Sequence, residues 1–69
     1  MIDKILKLYP DTYAIYDLGK YIGISRPKES FYLLNKQDLS VTNRLAMYSR
    51  EAVELIENAI PIWYKDDAD

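Results

Sequence analysis

The chain contains neither cysteine nor histidine. Thiol nucleophiles, Cys-based redox chemistry, Cys/His zinc sites and imidazole general-base catalysis are therefore excluded. No disulfide can form, which is compatible with a reducing cytoplasm. Glycine is scarce at two residues, too few for a loop that cradles phosphates. Long apolar runs are missing as well. The first residues, Met1-Ile2-Asp3-Lys4-Ile5-Leu6-Lys7, mix charge with apolar side chains and do not read as a signal peptide or membrane span. The expectation is a cytoplasmic protein without a membrane partner. Neither sign of charge dominates: nine Lys/Arg stand against eleven Asp/Glu, a formal charge of −2. That balance gives no support to a general nucleic-acid surface.

What the chain does have is tyrosine, seven in 69 residues, with one Trp and one Phe. Tyrosine suits half-exposed strand positions and is enriched at interfaces. A chain this short forms one domain, 1–69, and buries only a modest share of its surface. Association with a second copy, or with another protein, is a physical route to more buried area.

In chain order, Ile2, Ile5, Leu6 and Tyr9 are helix-spaced, with Asp3, Lys4 and Lys7 opposite, and Pro10 ends the segment. Residues 2–9 read as a short helix that must dock on something. Two runs of β-branched and aromatic residues then flank Asp17-Leu18-Gly19-Lys20, a hairpin signal. A two-residue Leu18-Gly19 loop pairs Ile15 with Ile22 and sets Tyr16 opposite Tyr21. A three-residue loop with Gly19 in the left-handed region pairs Ile15 with Tyr21 and has the better turn chemistry. Residues 26–29 read as a polar turn, Ser30 to Asn35 as a third strand, and 36–43 as a loop. Residues 44–48 form a short fourth strand. A helix of roughly 49–60 follows, started by Ser49 and carrying the stripe Ala52, Leu55, Ile56, Ala59, Ile60. One long helix over 40–60, capped by Ser40 or Thr42, fits the same residues. Pro61 ends the helix, Ile62-Trp63-Tyr64 is an apolar cluster, and 65–69 is an acidic tail that frays from an ordered 1–64. The expected class is α+β: a three- or four-stranded antiparallel β-meander, one main C-terminal helix packed on a face, and a short N-terminal helix.

The run Tyr13 to Asp17, Gly19, Tyr21-Ile22-Gly23, Phe31-Tyr32, Asp38-Leu39, Leu45 to Tyr48 and Ser49-Arg50-Glu51-Ala52 resembles a loose class of very small phage and prophage proteins. The resemblance covers 13–60 and implies a β-meander-plus-helix fold. Most such proteins have no assigned function. The resemblance implies a host or phage protein as partner, inhibited or redirected, in a host-cell cytoplasm; a defence or replication factor is the expected target. The N-terminal helix and Ile62-Trp63-Tyr64 depart from the pattern.

Three features are candidates for function. Leu18 to Ser25 resembles the first helix and turn of a helix-turn-helix DNA binder, with Ser25 capping a recognition helix that carries Arg26, Lys28 and Lys36. Against it stand Glu29 at a position needing an apolar residue, the density of strand formers over 15–35, and the acidic balance. Next, Glu51, Glu54 and Glu57 form a ridge on the main helix, continued by Asp66, Asp67 and Asp69; such a row either imitates a phosphate backbone or is a solvated face, and an Arg50–Glu54 pairing tempers it. Last, Tyr16, Tyr21, Tyr32, Trp63 and Tyr64 exceed what one small core buries. A sheet face showing Tyr16 and Tyr32 would suit a protein partner, with Trp63 either the anchor or folded back under helix 49–60. No catalytic, metal or cofactor constellation is visible. The expected function is a non-enzymatic protein-binding module, with a small DNA-binding regulator as the alternative.

Overall fold

The strands owe their faces to a period of two. In Ala14-Ile15-Tyr16 and Phe31-Tyr32-Leu33-Leu34 successive residues are all apolar or aromatic, the pattern of strands covered on both sides. The computed structural model describes residues 1–26 and 30–65. Among them α1 (Ile2–Leu8) precedes β1 (Ala14–Asp17), β2 (Tyr21–Arg26), β3 (Ser30–Asn35) and β4 (Val41–Ala46), and α2 (Arg50–Glu57) leads to β5 (Ile60–Tyr64). The five strands form one antiparallel sheet in the order β4-β3-β2-β1-β5. An α+β fold is thus observed, with five strands where three or four were expected.

Each face of the sheet has its own core. On one, Ile15, Ile22, Ile24 and Leu34 meet Ile5 of α1 and Leu39, with Tyr9, Tyr32 and Trp63 packed around them. On the other, Ala14, Tyr16, Phe31 and Leu33 meet Ala52 of α2, with Leu55, Ile56 and Ala59 beside it. Helix α1 has only seven residues and could not persist alone; the fully buried Ile5 holds it to the sheet. It stops before Pro10, and the Tyr9 carbonyl accepts bonds from the amide and hydroxyl of Thr12 (3.1 and 2.7 Å). At α2 the Ser49 hydroxyl oxygen accepts from the Ala52 amide at 3.2 Å, the N-cap its sequence signal announces.

Helix α2 carries the chain from one edge of the sheet to the other. Four inter-strand spacings separate β4 from β5, about 19 Å. Eight helical residues span about 12 Å, so the flanking segments supply the rest. This crossing makes Ile60–Tyr64 a strand against β1, in the register Ala14↔Tyr64 and Ile15↔Trp63.

Two glycines set close geometry. Gly19 has φ +90° and no other residue of the β1–β2 turn has positive φ; Leu18 N–H donates to the Tyr21 carbonyl at 2.9 Å. The turn is therefore a two-residue Gly19-Lys20 loop of type II′. It pairs Ile15 with Ile24 and Tyr16 with Gly23, so neither register expected from the sequence is adopted. Gly23 lies under the Phe31 ring: a Cβ there would sit 2.6 Å from the ring and 2.9 Å from Leu18 Cδ1.

Other expectations are corrected too. The described residues of 15–35 contribute β1, β2 and β3, and no helix-turn-helix exists among them. The single helix over 40–60 is replaced by β4, Ser49 and α2. Helix α2 ends at Glu57, and Ile60, assigned above to its buried stripe, lies exposed in β5. The polar turn at 27–29 and the tail beyond Lys65, with Asp66, Asp67 and Asp69, lie outside the described residues.

Candidate functional site

The tyrosines expected to share a sheet face do not. The register Tyr16↔Gly23↔Leu33 places Tyr16 with Leu33 on the α2 side, whereas Tyr32 points to the α1 side. Tyr16 is 8 % exposed and packs on Phe31 and edge-on to Tyr64, with ring centroids 6.1 Å apart in each pair. Burial, then the neighbouring Tyr64, pushes the Tyr16 hydroxyl pKa above its ordinary value. Tyr16 is thus core, and Tyr64 is its exposed cover. Tyr21 is exposed beside the β1–β2 turn, away from both.

Tyr32 is half-buried between two guanidinium groups, Arg26 at 4.8 Å and Arg44 at 5.4 Å from its ring centroid. Tyr9 meets it edge-on at 6.2 Å. Arg26 also bonds Asp11 at 2.5 Å, and this contact holds the Asp11 carboxyl below its ordinary pKa. Both arginines lean on an aromatic face, which stabilises them by cation–π attraction. Arg44 was not singled out in the sequence; its signal is the β3–β4 register that sets it opposite Tyr32.

Trp63 closes a core, but the one under α1, not the one under α2. The reason is register: paired with Ile15, it shares that residue's face. The remaining residues of β5 face outward. Ile60 is 68 % exposed, Tyr64 58 % and Ile62 42 %, and Pro61 is exposed as well. β5 carries no charged residue. Ile62 is the extra residue of a bulge, since Tyr16 pairs with Pro61 and Ile15 with Trp63. It closes a cleft of about 370 Å³ with Met1, Ile2 and Asp3.

Glu51, Glu54 and Glu57 all lie exposed on the outer side of α2. The expected Arg50–Glu54 pairing is not formed; the ion pairs among the described residues are Arg26–Asp11 and Lys36–Asp17. Glu51 lies in the first turn, where the helix dipole favours it. No group of His, Cys, Asp and Glu able to hold a metal ion is present among the described residues, and no helix among them is long and apolar enough to cross a membrane.

A basic cleft on the far flank of α1 was not anticipated. It has a volume of about 450 Å³ and lies between α1 and the β3–β4 loop. The sequence shows only its α1 side, in the helical spacing of Lys4, Lys7 and Leu8, and not the loop that faces it. In comparisons with known proteins, the chain matches no protein-family model, no curated protein and no solved structure.

Proposed function

We propose that this is a non-enzymatic protein-binding module that docks through β5. The observation that supports the reading is the composition of that strand: Ile60, Pro61, Ile62 and Tyr64 are all exposed and all apolar. Apolar side chains grouped on one exposed strand are a recurrent mark of protein–protein contact. Tyr64 offers a rigid ring with a polar tip, and the half-buried Trp63 steadies the strand from beneath. Glu51, Glu54 and Glu57, exposed on α2, are a second, acidic surface for a partner, and Tyr21 and Tyr32 belong to other strands. By the resemblance to phage proteins, the partner is a host protein that is inhibited or redirected. A second copy of the chain is the other candidate partner.

The test is capture from host lysate with wild type beside Ile62→Lys and Glu54→Lys. The expected result is loss of the captured protein in Ile62→Lys and weaker capture, sensitive to salt, in Glu54→Lys. Unchanged capture by Ile62→Lys would remove β5 from the surface. Sedimentation of the pure protein at micromolar concentration separates a second copy from a foreign partner.

A further inference from the structure

The cleft on the far flank of α1 has a construction of its own. Its lining is mixed: apolar Met1, Leu8 and Leu39 stand with Lys4, Lys7 and Lys36, and Gln37 and Asp38 complete the loop side. Met1, Lys4 and Leu8 follow the i, i+3, i+7 spacing of one helix stripe, and Lys7 flanks it. The facing wall is the loop between β3 and β4, which is fixed by several bonds. The Asn35 side chain accepts from Gln37 N–H at 2.7 Å, Leu39 N–H donates to the Asn35 carbonyl at 2.7 Å, and Tyr9 Oη donates to the Leu39 carbonyl at 2.8 Å.

Leu39 itself has φ +62°, the only positive φ outside glycine among the described residues. A leucine in the left-handed region costs about 1–2 kcal/mol. It is retained there with its side chain buried in the α1-side core, which fixes the loop wall of the cleft.

The charges in the cleft are not balanced. The one acid lining it, Asp38, turns its carboxylate to its own loop, accepting from the Ser40 amide and hydroxyl at 3.1 and 2.8 Å. Those bonds hold its pKa below the ordinary value. Lys36 reaches Asp17 at 3.0 Å, whereas Lys4 and Lys7 make no ion pair among the described residues. A volume of about 450 Å³ falls within the range of small-ligand sites, about 300–1,000 Å³.

From this combination we infer that the cleft binds a small amphiphilic anion. An aliphatic or aromatic body would lie on Met1 and Leu8, and its carboxylate would meet the ammonium groups of Lys4 and Lys7. No residue of β5 lines the site, although Met1 also borders the cleft that Ile62 closes, and the inference does not depend on the protein-binding reading. A body without charge leaves the lysines unused, and a charge without a body leaves the exposed Met1 and Leu8 side chains wet, so the two parts of the ligand are needed together.

The experiment titrates isotope-labelled protein with octanoate, 1-octanol and acetate and follows backbone amide shifts. Octanoate is expected to give saturable shifts at Lys4, Lys7, Leu8 and Leu39, with octanol and acetate each at least about tenfold weaker. The charge reversal Lys4→Glu/Lys7→Glu lies at exposed positions, so the fold is expected to persist by circular dichroism, and it should weaken octanoate at least about tenfold. Leu8→Ser, also at an exposed position, gives a second variant and should weaken it too. Equal binding of octanol, shifts confined to β5, or full affinity in the lysine variant would each overturn the proposal. Co-sedimentation with phosphatidylglycerol vesicles without octanoate binding would also overturn it, assigning the face to a membrane surface instead.

Discussion

The two edges of the sheet solve one problem in different ways. Each ends in a strand whose outer backbone groups are open to pairing, and each carries a bulge that spoils a continuous ladder: Thr42 is the extra residue in β4 and Ile62 in β5. In β4 the exposed residues include Thr42, Asn43 and Arg44, and the Thr42 hydroxyl donates to the Leu33 carbonyl at 3.1 Å. That edge is solvated. In β5 Pro61 removes a donor, yet the side chains around it are apolar and exposed. The backbone of β5 is thus guarded against strand addition while its side chains are left open. The difference teaches that, under the proposed function, β5 is suited to contact through side chains on its faces and not through one more strand in the sheet.

Trp63→Ala should produce the largest effect, a loss of about 2–4 kcal/mol in urea unfolding, because it removes an aromatic wedge from the α1-side core. On the opposite edge Val41→Ala should cost only about 1 kcal/mol. Equal losses would erase the contrast between the edges. Gly23→Ala affects the central strands that both edges lean on, and its Cβ against Phe31 should cost about 1–3 kcal/mol by the same measurement. Gly19→Ala meets no atom within 4 Å, so only the left-handed backbone penalty applies, about 1–2 kcal/mol.

Two pH effects sharpen the comparison further. Tyr16 has a raised pKa in the folded state, so the unfolded chain loses its proton first and stability falls as pH rises past 10.0, its ordinary value. Tyr16→Phe should flatten that limb of a stability–pH curve. The smallest effect is at acid pH. Asp11 is held below its ordinary value of 3.8 by Arg26, so its contribution is present above that pH and is lost as pH falls through the lower folded value. The pair is exposed, and a shallow acid limb, reduced by Asp11→Asn, is expected.

What could be read in advance was local. Pro10 stopped α1, Ser49 started α2, Ser30–Asn35 was recognised as a strand, and Gly19 was placed at positive φ. What could not be read was long-range. The turn register depended on whether Gly19 stood first or last in its loop, and a shift there re-pairs every residue of β1. β5 was hidden because Pro61 looked like a helix stop and Ile62-Trp63-Tyr64 was too short to declare its partner. Pairing with Ile15, far back in the chain, decides its face. The candidate surface suffered most: Tyr16 and Tyr32 look alike in sequence, and only two successive antiparallel registers send them to opposite sides. The basic cleft needs α1 and the β3–β4 loop brought together, which no spacing within either reveals.

The passage of α2 across the sheet also bears on the order in which the fold is expected to close. β1 to β4 follow one another in the sheet with few residues between them, so they can assemble by local steps. The β5–β1 pairing spans the longest stretch of sequence among the described strands, so its loop closure is expected to come last. Until then β1 is itself an edge, with Ala14 to Asp17 unpaired on one side and the α1-side core without Trp63. During folding the sheet is therefore most open to foreign strands along β1, a line that the finished protein conceals entirely.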